Sequence, residues 1–339
     1  MVIVLGKSKR ANAVFFGFDF QVNAAIILVL ENIEDLNFLR LEGNYEDIEL
    51  ELVDGSSILA QAKAIEASST DFRNVRANLK SALASLSEGA HTLNTKQLIL
   101  ITNSPNPINE DASKNLFLGT AHRSFSTLPE SSKKLIRNYL SEVTNPLDVN
   151  KFMIQILPFE TDDDLERYKI VRQAVDDFVG DLNINIPGLS KKLLTSWHES
   201  VFQNGSKKDA AIKLYKRDII WPIMVIATDI NRCDDTFAER FDPAMYDEIA
   251  HQYSELINSC CERCEFFIKV LFDYNEFQST KKPSEKCINF AFSKWEDYIP
   301  DLKLNNVSEE TQKGLIQIIL YNIMRNRITI DKVKEGANL

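Results

Sequence analysis

Residues 41–63 read LEGNYEDIELELVDGSSILAQAK, and the fold turns on them. Ile48-Glu49-Leu50-Glu51-Leu52 alternates aliphatic and acidic side chains, the period-2 pattern of a strand with one buried face. Asp54-Gly55 is a strong two-residue hairpin signal. Ile58 to Ala64 follows as a small, apolar strand, and Leu39-Arg40-Leu41-Glu42 precedes the middle strand through a Gly43-Asn44 turn. These segments predict a three-stranded meander. Gln61 and Lys63, two residues apart, leave the same face, and Ala60 and Ala62 leave the other. Pairing through Asp54-Gly55 sets Asp47, at the start of the second strand, beside Gln61-Ala62-Lys63 at the end of the third. A carboxylate, an amide carbonyl and an ammonium then converge.

Working outward, Asp19 to Leu30 is apolar with good helix formers and predicts a helix. Ser69 to Ser87 predicts an amphipathic helix capped by Thr70, with Val75, Leu79, Ala82, Leu83 and Leu86 at helical spacing. Lys96–Thr102 and Phe152–Leu157 are apolar runs of strand length, and Glu130–Val143 between them predicts a helix. From about Asp162 the pattern is helical: Asp164–Val179, Ser190–Phe202, Lys208–Tyr215, Met245–Phe272, Lys286–Tyr298 and Ser308–Arg325. Breaks are expected at Pro187-Gly188, Asn204-Gly205, Pro222, Pro243, Pro283 and Pro300. The expected fold class is therefore α+β, a mixed αβ core over residues 1–205, followed by an all-helical region over 206–339.

A chain of 339 residues accommodates two domains. With 44% hydrophobic and 26% charged residues, and only 11 Gly and 10 Pro, it is neither disordered nor collagen-like. Ala24–Leu30 is the longest apolar run, well short of the ~20 residues a bilayer span needs. Met1–Leu5 is followed by Lys7, Lys9 and Arg10 without a cleavable apolar region, so no signal peptide is expected. The five cysteines, an odd number confined to the C-terminal part, read as reduced thiols. A soluble, cytoplasmic protein without a membrane partner is expected. The net charge of −10 argues against a non-specific nucleic-acid coat but leaves room for a local basic strip.

The convergent set suits metal-dependent phosphodiester hydrolysis. Hard oxygen ligands hold Mg²⁺ (or Mn²⁺), which acidifies water and neutralises charge on a phosphate. A lysine among alanines on a half-buried strand is rare unless paired, and here it can orient the attacking water.

These residues resemble the PD-(D/E)xK nuclease superfamily in its variant with Gln before the x-Lys. More narrowly, they are similar to the double-stranded-DNA endonuclease domain of CD-NTase-associated effectors of bacterial anti-phage systems. The resemblance rests on Gly17-Phe18-Asp19-Phe20-Gln21, Glu42-Gly43, Glu46-Asp47-Ile48 and Gln61-Ala62-Lys63, in that order. It implies Asp47 and Gln61 as metal ligands, Lys63 as the catalytic lysine, Glu42 as a further acidic ligand or support, and Gln21 as a site-facing residue of the first helix. The usual Pro-Asp pair is absent, since Glu46 precedes Asp47, which leaves open which of Glu42, Glu46 and Asp47 binds metal first.

The helical part is too short and too helical for the cyclic-oligonucleotide sensor of the best-known members. It resembles instead the nuclease subunit of Lamassu-type defence systems. That implies an SMC-like ATPase and a small accessory subunit as partners, with activity controlled by those partners or by self-oligomerisation. Arg73, Arg76 and Lys80 are expected to form one basic stripe on the helix after Gln61-x-Lys63, placed to follow a DNA backbone. The competing readings are a non-catalytic interaction subunit with a degenerate core, and an RNA-cleaving enzyme of the same fold.

Other motifs read as structural. Glu49 and Glu51 are expected on a solvated strand face. Gly6-Lys7-Ser8 lacks the earlier glycine of a phosphate-binding loop. Ser196, His198 and Glu199 read as helix surface, without a nucleophile elbow. Cys260, Cys261 and Cys264, with His251 nearby, read as thiols of an apolar helix rather than zinc ligands.

Overall fold

The computed structural model describes residues 8–68, 70–160, 163–229, 235–261, 263–302, 304 and 307–339. Helix α1 (Ser8–Glu31) leads into the meander β1 (Leu36–Leu41), β2 (Ile48–Leu52) and β3 (Ser57–Lys63). β1 pairs with β2, and β2 with β3, both antiparallel, in a register that sets Ile48 against Ala60. Burial alternates along β2 as its sequence demands: Ile48, Leu50 and Leu52 are buried, Glu49 and Glu51 partly open. The β2–β3 hairpin closes at Gly55, whose φ of 78° suits glycine, while the Asp54 carboxylate accepts from the amide and hydroxyl of Ser56.

Helix α2 (Val75–Thr92) then returns the chain so that β4 (Thr95–Thr102) lies parallel to β3. β5 (Ala121–Ser124), α3 (Glu130–Leu140) and β6 (Phe152–Ile156) follow, with β6 parallel to β4 and antiparallel to β5. With β7 (Leu214–Tyr215) the seven-stranded sheet has the order β5-β6-β4-β3-β2-β1-β7. β3 is central and buried along nearly its whole length. Leu59 packs with Leu79, Leu83 and Leu86 of α2 and Leu98 and Leu100 of β4. Each such leucine contributes on the order of 1.5–3 kcal/mol of burial. The other face is covered by α1, whose Ala24 and Ala25 are fully buried and allow close approach.

Helix α1 corrects one expectation. Over Asn12–Glu31 it is long and apolar enough, by length and composition, to cross a membrane; counting uninterrupted apolar runs missed this because Asn23 interrupts the stretch. More than half of that window is buried inside the protein.

Helices α4 (Asp164–Arg167), α5 (Lys169–Asp181) and α6 (Leu189–Ser206) follow; Tyr168 breaks the continuous helix expected over Asp164–Val179. The helix expected over Lys208–Tyr215 does not form. Leu214 and Tyr215 pair with Leu39 and Phe38, and helix α7 begins only at Lys216. The α2 expectation also shifts. Thr70 is not its cap: the amides of Thr70 and Asp71 turn back onto Ala67, and the helix starts after Asn74.

The chain divides into two units. The first runs to Asp181 and resumes over Ser190–Ile219; the second comprises Leu182–Leu189 and Ile220–Ala337. The first unit therefore continues past the boundary expected near 205. Arg40 of β1, only 2% exposed, explains why: it donates to the carbonyls of Asn204 (2.6 Å), Lys207 (2.7 Å) and Ile212 (3.2 Å).

The second unit is helical: most of α7 (Lys216–Ala227), then α8 (Asp235–Ala238), α9 (Pro243–Gln252), α10 (Ser254–Cys261), α11 (Cys264–Glu276), α12 (Pro283–Lys294), α13 (Ile299–Leu302), α14 (Glu309–Arg325) and α15 (Arg327–Gly336). Pro222 lies inside α7 rather than ending it, and the expected helix over Met245–Phe272 is three helices. α14 is buried all round from Gly314 to Met324, as a central helix must be, and Ser308 caps it by accepting from the Thr311 amide. The fold is thus α+β followed by helices.

Candidate functional site

The β1–β2 turn builds the site. The Glu42 amide donates to the Asp47 carbonyl (2.7 Å), and the Gly43 amide to the Glu46 carbonyl (3.1 Å). Glu42 takes a left-handed φ of 51° to start this turn. The Glu49 carboxylate folds back over it and accepts from the amides of Tyr45 and Glu46. Glu49 is therefore a turn cap as well as a partly open strand residue, and a Cβ on Gly43 would push that carboxylate aside. Glu51 is likewise engaged, accepting from Asn37.

The turn delivers Asp47 to the end of β3. Its Oδ2 accepts from the Ala62 amide (2.9 Å) and from the Gln61 side-chain amide. Gln61 is buried and Lys63, two residues on, is partly buried. The Thr102 hydroxyl donates to the Lys63 carbonyl (2.6 Å) and ties this end of β3 to β4. Gln21 of α1 is close enough to act on the Glu42 carboxyl, which also feels the charges of Asp47 and Lys63. Helix α1 and the three strands of the meander thus bring Gln21, Glu42, Asp47, Gln61 and Lys63 to one end of the sheet.

Charge is crowded there. The Glu42 carboxyl opens to solvent, yet burial of its surroundings and the Asp47 carboxylate raise it above the ordinary range, with Gln21, Lys63 and Arg40 opposing. Glu46 is more extreme. It is 5% exposed, and burial pushes its carboxyl up to about 8. The Ser85 hydroxyl of α2 is near enough to pull it back in part, but neither carboxylate oxygen completes a hydrogen bond. Such a group is costly in its charged form, so at neutral pH the Glu46 carboxyl keeps its proton.

Among the described residues no three His, Cys, Asp or Glu side chains are gathered into a ready-made metal cluster. The acidic donors at the sheet end are Asp47 and Glu42, with the Gln61 amide beside them. Cys260 and Cys287 are buried free thiols, as expected of apolar helices; Cys261 and Cys264 side chains lie outside the described ones.

The basic stripe is not assembled. Arg73 precedes α2 and pairs with Asp71 (2.7 Å). Arg76 donates to the carbonyls of Ile108 and Asn109, and Lys80 pairs with Glu142 (2.6 Å). Arg76 and Lys80 stay one turn apart on α2, but the late start of the helix leaves Arg73 outside it, and each of the three has a protein partner.

A second polar cluster escaped the sequence reading. His198 of α6 does not lie idle on a helix surface: its Nε2 is 3.1 Å from Asp19 Oδ1 of α1, while the Tyr168 hydroxyl donates to Asp19 Oδ2 (2.8 Å). The only sequence signal was a carboxylate at position 19 inside an otherwise apolar helix. Partners 149 and 179 residues away gave no local pattern.

No family model matches the chain, and no curated protein or solved structure is found to be similar to it.

Proposed function

We propose that this chain is a metal-dependent DNA endonuclease acting as an effector of a bacterial anti-phage system. The observation that supports this reading above all is the anchoring of Asp47 on the Ala62 amide beside Gln61, with Lys63 next along the strand and Gln21 and Glu42 at the rim. The set has the hard oxygen donors that Mg²⁺ or Mn²⁺ prefers. Asp47, Glu42 and Gln61 would hold the ion; Gln61 now turns its NH₂ toward Asp47, and the reverse rotamer of the amide presents its carbonyl there. When bound, the ion supplies charge neutralisation at the phosphate and acidifies water.

The chain's own residues do the rest. Asp47 is pre-oriented by a backbone amide, so its position costs little to organise. Lys63 orients the attacking water and neutralises charge building on the phosphate. Attack in line with the leaving oxygen then gives a 5′-phosphate and a 3′-hydroxyl. The helical unit would serve assembly with an SMC-like ATPase and a small subunit, or self-oligomerisation, in the cytoplasm. The exposed Ile268 and Phe272, one turn apart on α11, are suited to such a contact.

The test is plasmid cleavage with Mg²⁺ or Mn²⁺, alone and with partner proteins, for wild type and Lys63→Ala, with a chelator control. Cutting lost in both controls supports the reading. Cutting that survives Lys63→Ala rejects the site.

A further inference from the structure

Beside this site, within the first unit, lies a cleft of about 500 Å³ whose walls include Phe15, Phe18, Phe202, His198 and Glu66. Its size is that of a small-ligand site. Its base is rigid. Asp19 is a hub that accepts from Asn23, His198 and Tyr168, with the Arg167 guanidinium 3.8 Å away. Arg167 is committed further, to the Glu160 carbonyl (2.7 Å) and to the faces of Phe16 (5.6 Å) and Phe159 (5.8 Å). Its walls are aromatic and open: Phe18 and Phe202 meet edge to face at 5.2 Å, Phe202 is 44% exposed and Phe15 71% exposed.

Two observations say what fits. First, the ionic lining does not suit a phosphate. Among the described lining residues the one guanidinium, that of Arg167, is already engaged, and the Asp19 and Glu66 carboxylates repel anions. A flat, neutral ring matches the aromatic walls, and donor groups on its edge suit the negative charge that Asp19 and Glu66 bring to the lining. Second, the cleft shares its elements with the site. Phe18 and Gln21 are one turn apart on α1, and Glu66 follows three residues after Lys63. Phe18 also packs toward the end of β1: a Cβ on Gly205 would come within 2.7 Å of Leu41 and 3.0 Å of Phe18.

We infer that this cleft receives an unpaired nucleobase of the nucleic acid next to the bond being cut, stacking it on Phe15 and Phe202 and favouring bases with an exocyclic amino group over thymine. The inference rests on the nuclease reading for the class of its ligand. Aromatic stacking of this kind changes affinity by about tenfold or more per base, and the Asp19 hub holds the walls in place before binding.

The experiment uses the full chain carrying Lys63→Ala, so that DNA is bound and not consumed. Fluorescence anisotropy compares a fully paired duplex with duplexes carrying one unpaired adenine or one unpaired thymine. We expect about tenfold tighter binding to the unpaired adenine than to the paired duplex, a smaller gain for thymine, and loss of the preference when Phe15→Ala or Phe202→Ala is added. Phe15 is largely exposed, so Phe15→Ala leaves the melting temperature unchanged, and binding by Phe202→Ala, which also loses the Phe18 contact, is compared below its own melting temperature. Equal affinity for the three duplexes, or a preference that survives both substitutions, overturns the proposal. So does a change in oligomeric mass on Phe15→Ala without a change in DNA binding, which would make the aromatic rim a contact between copies. Wild-type protein that prefers the unpaired adenine yet cuts no DNA, even with its partners, keeps the base cleft and rejects the nuclease. Cutting without any such preference does the reverse.

Discussion

The carboxylate of Asp47 accepts a 2.9 Å hydrogen bond from the backbone amide of Ala62, across the β2–β3 pair. A main-chain donor cannot rotate away, so the strand pairing itself aims the side chain. Asp47→Asn keeps an acceptor oxygen for that amide but removes the charge. We expect a melting temperature within a degree or two of wild type and DNA cutting reduced by about 100-fold or more. Asp47→Ala removes both and is expected to lower the melting temperature as well. Equal cutting by Asp47→Asn and wild type would sink the assignment of Asp47.

Lys63 is half-buried at the strand end, and its carbonyl, not its side chain, makes the structural bond to Thr102. Lys63→Ala is therefore expected to fold normally, by circular dichroism and melting, while cutting falls by at least about 100-fold. Lys63→Arg retains the charge but not the compact ammonium, and is expected to recover little activity.

Glu31 ends α1 beside Gln155 and His122, with Gln155 Nε2 3.1 Å from its carboxylate. Burial raises its carboxyl to about 7. The folded protein thus keeps a proton that the unfolded chain has released, so stability from this group is full below about 4.5 and is lost as pH rises through about 7. Glu31→Gln should raise the melting temperature at pH 8 by about 2–4 °C. The gain should vanish at pH 5. Thermal melts across that range check the sign; a gain confined to low pH would contradict it.

Arg40 is buried with three carbonyl acceptors on residues 204–212. Arg40→Met leaves those carbonyls without their donor, and we expect a loss of about 3–5 kcal/mol in urea unfolding. The same substitution should increase proteolysis between residues 204 and 215, because Arg40 is the buried side chain that ties three carbonyls of that segment to β1. A variant as stable as wild type would show that the clasp is dispensable.

Gly43 lies under the Glu49 carboxylate. Gly43→Ala must push that group off the amides of Tyr45 and Glu46, at a cost of about 1–2 kcal/mol by denaturant unfolding. Gly43→Ala in a Glu49→Ala background should cost less, which a double-mutant cycle measures.

Much of the first unit was legible because its signals are local. The alternation along Ile48–Leu52 and the Asp54-Gly55 turn fix a strand and a hairpin within a few residues, and Asp47 against Gln61-Ala62 follows by counting register. β5 and β7 were not legible. They are four and two residues long, and their partners, Phe152–Ile156 and Leu39, lie far away in sequence. The helical pattern of Lys208–Tyr215 lost to pairing with β1, since tertiary contacts outweigh propensity over so short a stretch. Glu49 looked solvated because a period-2 pattern states which face a side chain leaves, not whether it curls back onto its own turn. The basic residues 73, 76 and 80 looked like a stripe only on the premise that the helix began before Arg73.

By itself, then, the sequence determined the meander, the α+β-then-helical order and the meeting of Asp47 with Gln61, because periodicity and turn chemistry act between neighbours. Only the tertiary structure decided that Glu46 is buried without a partner, that Arg40 binds residues 204–212 to the sheet, and that Asp19, Tyr168 and His198 join beneath an aromatic cleft. Those relationships depend on distances between segments far apart in the chain, and these are set by how helices and sheet pack, not by any local pattern.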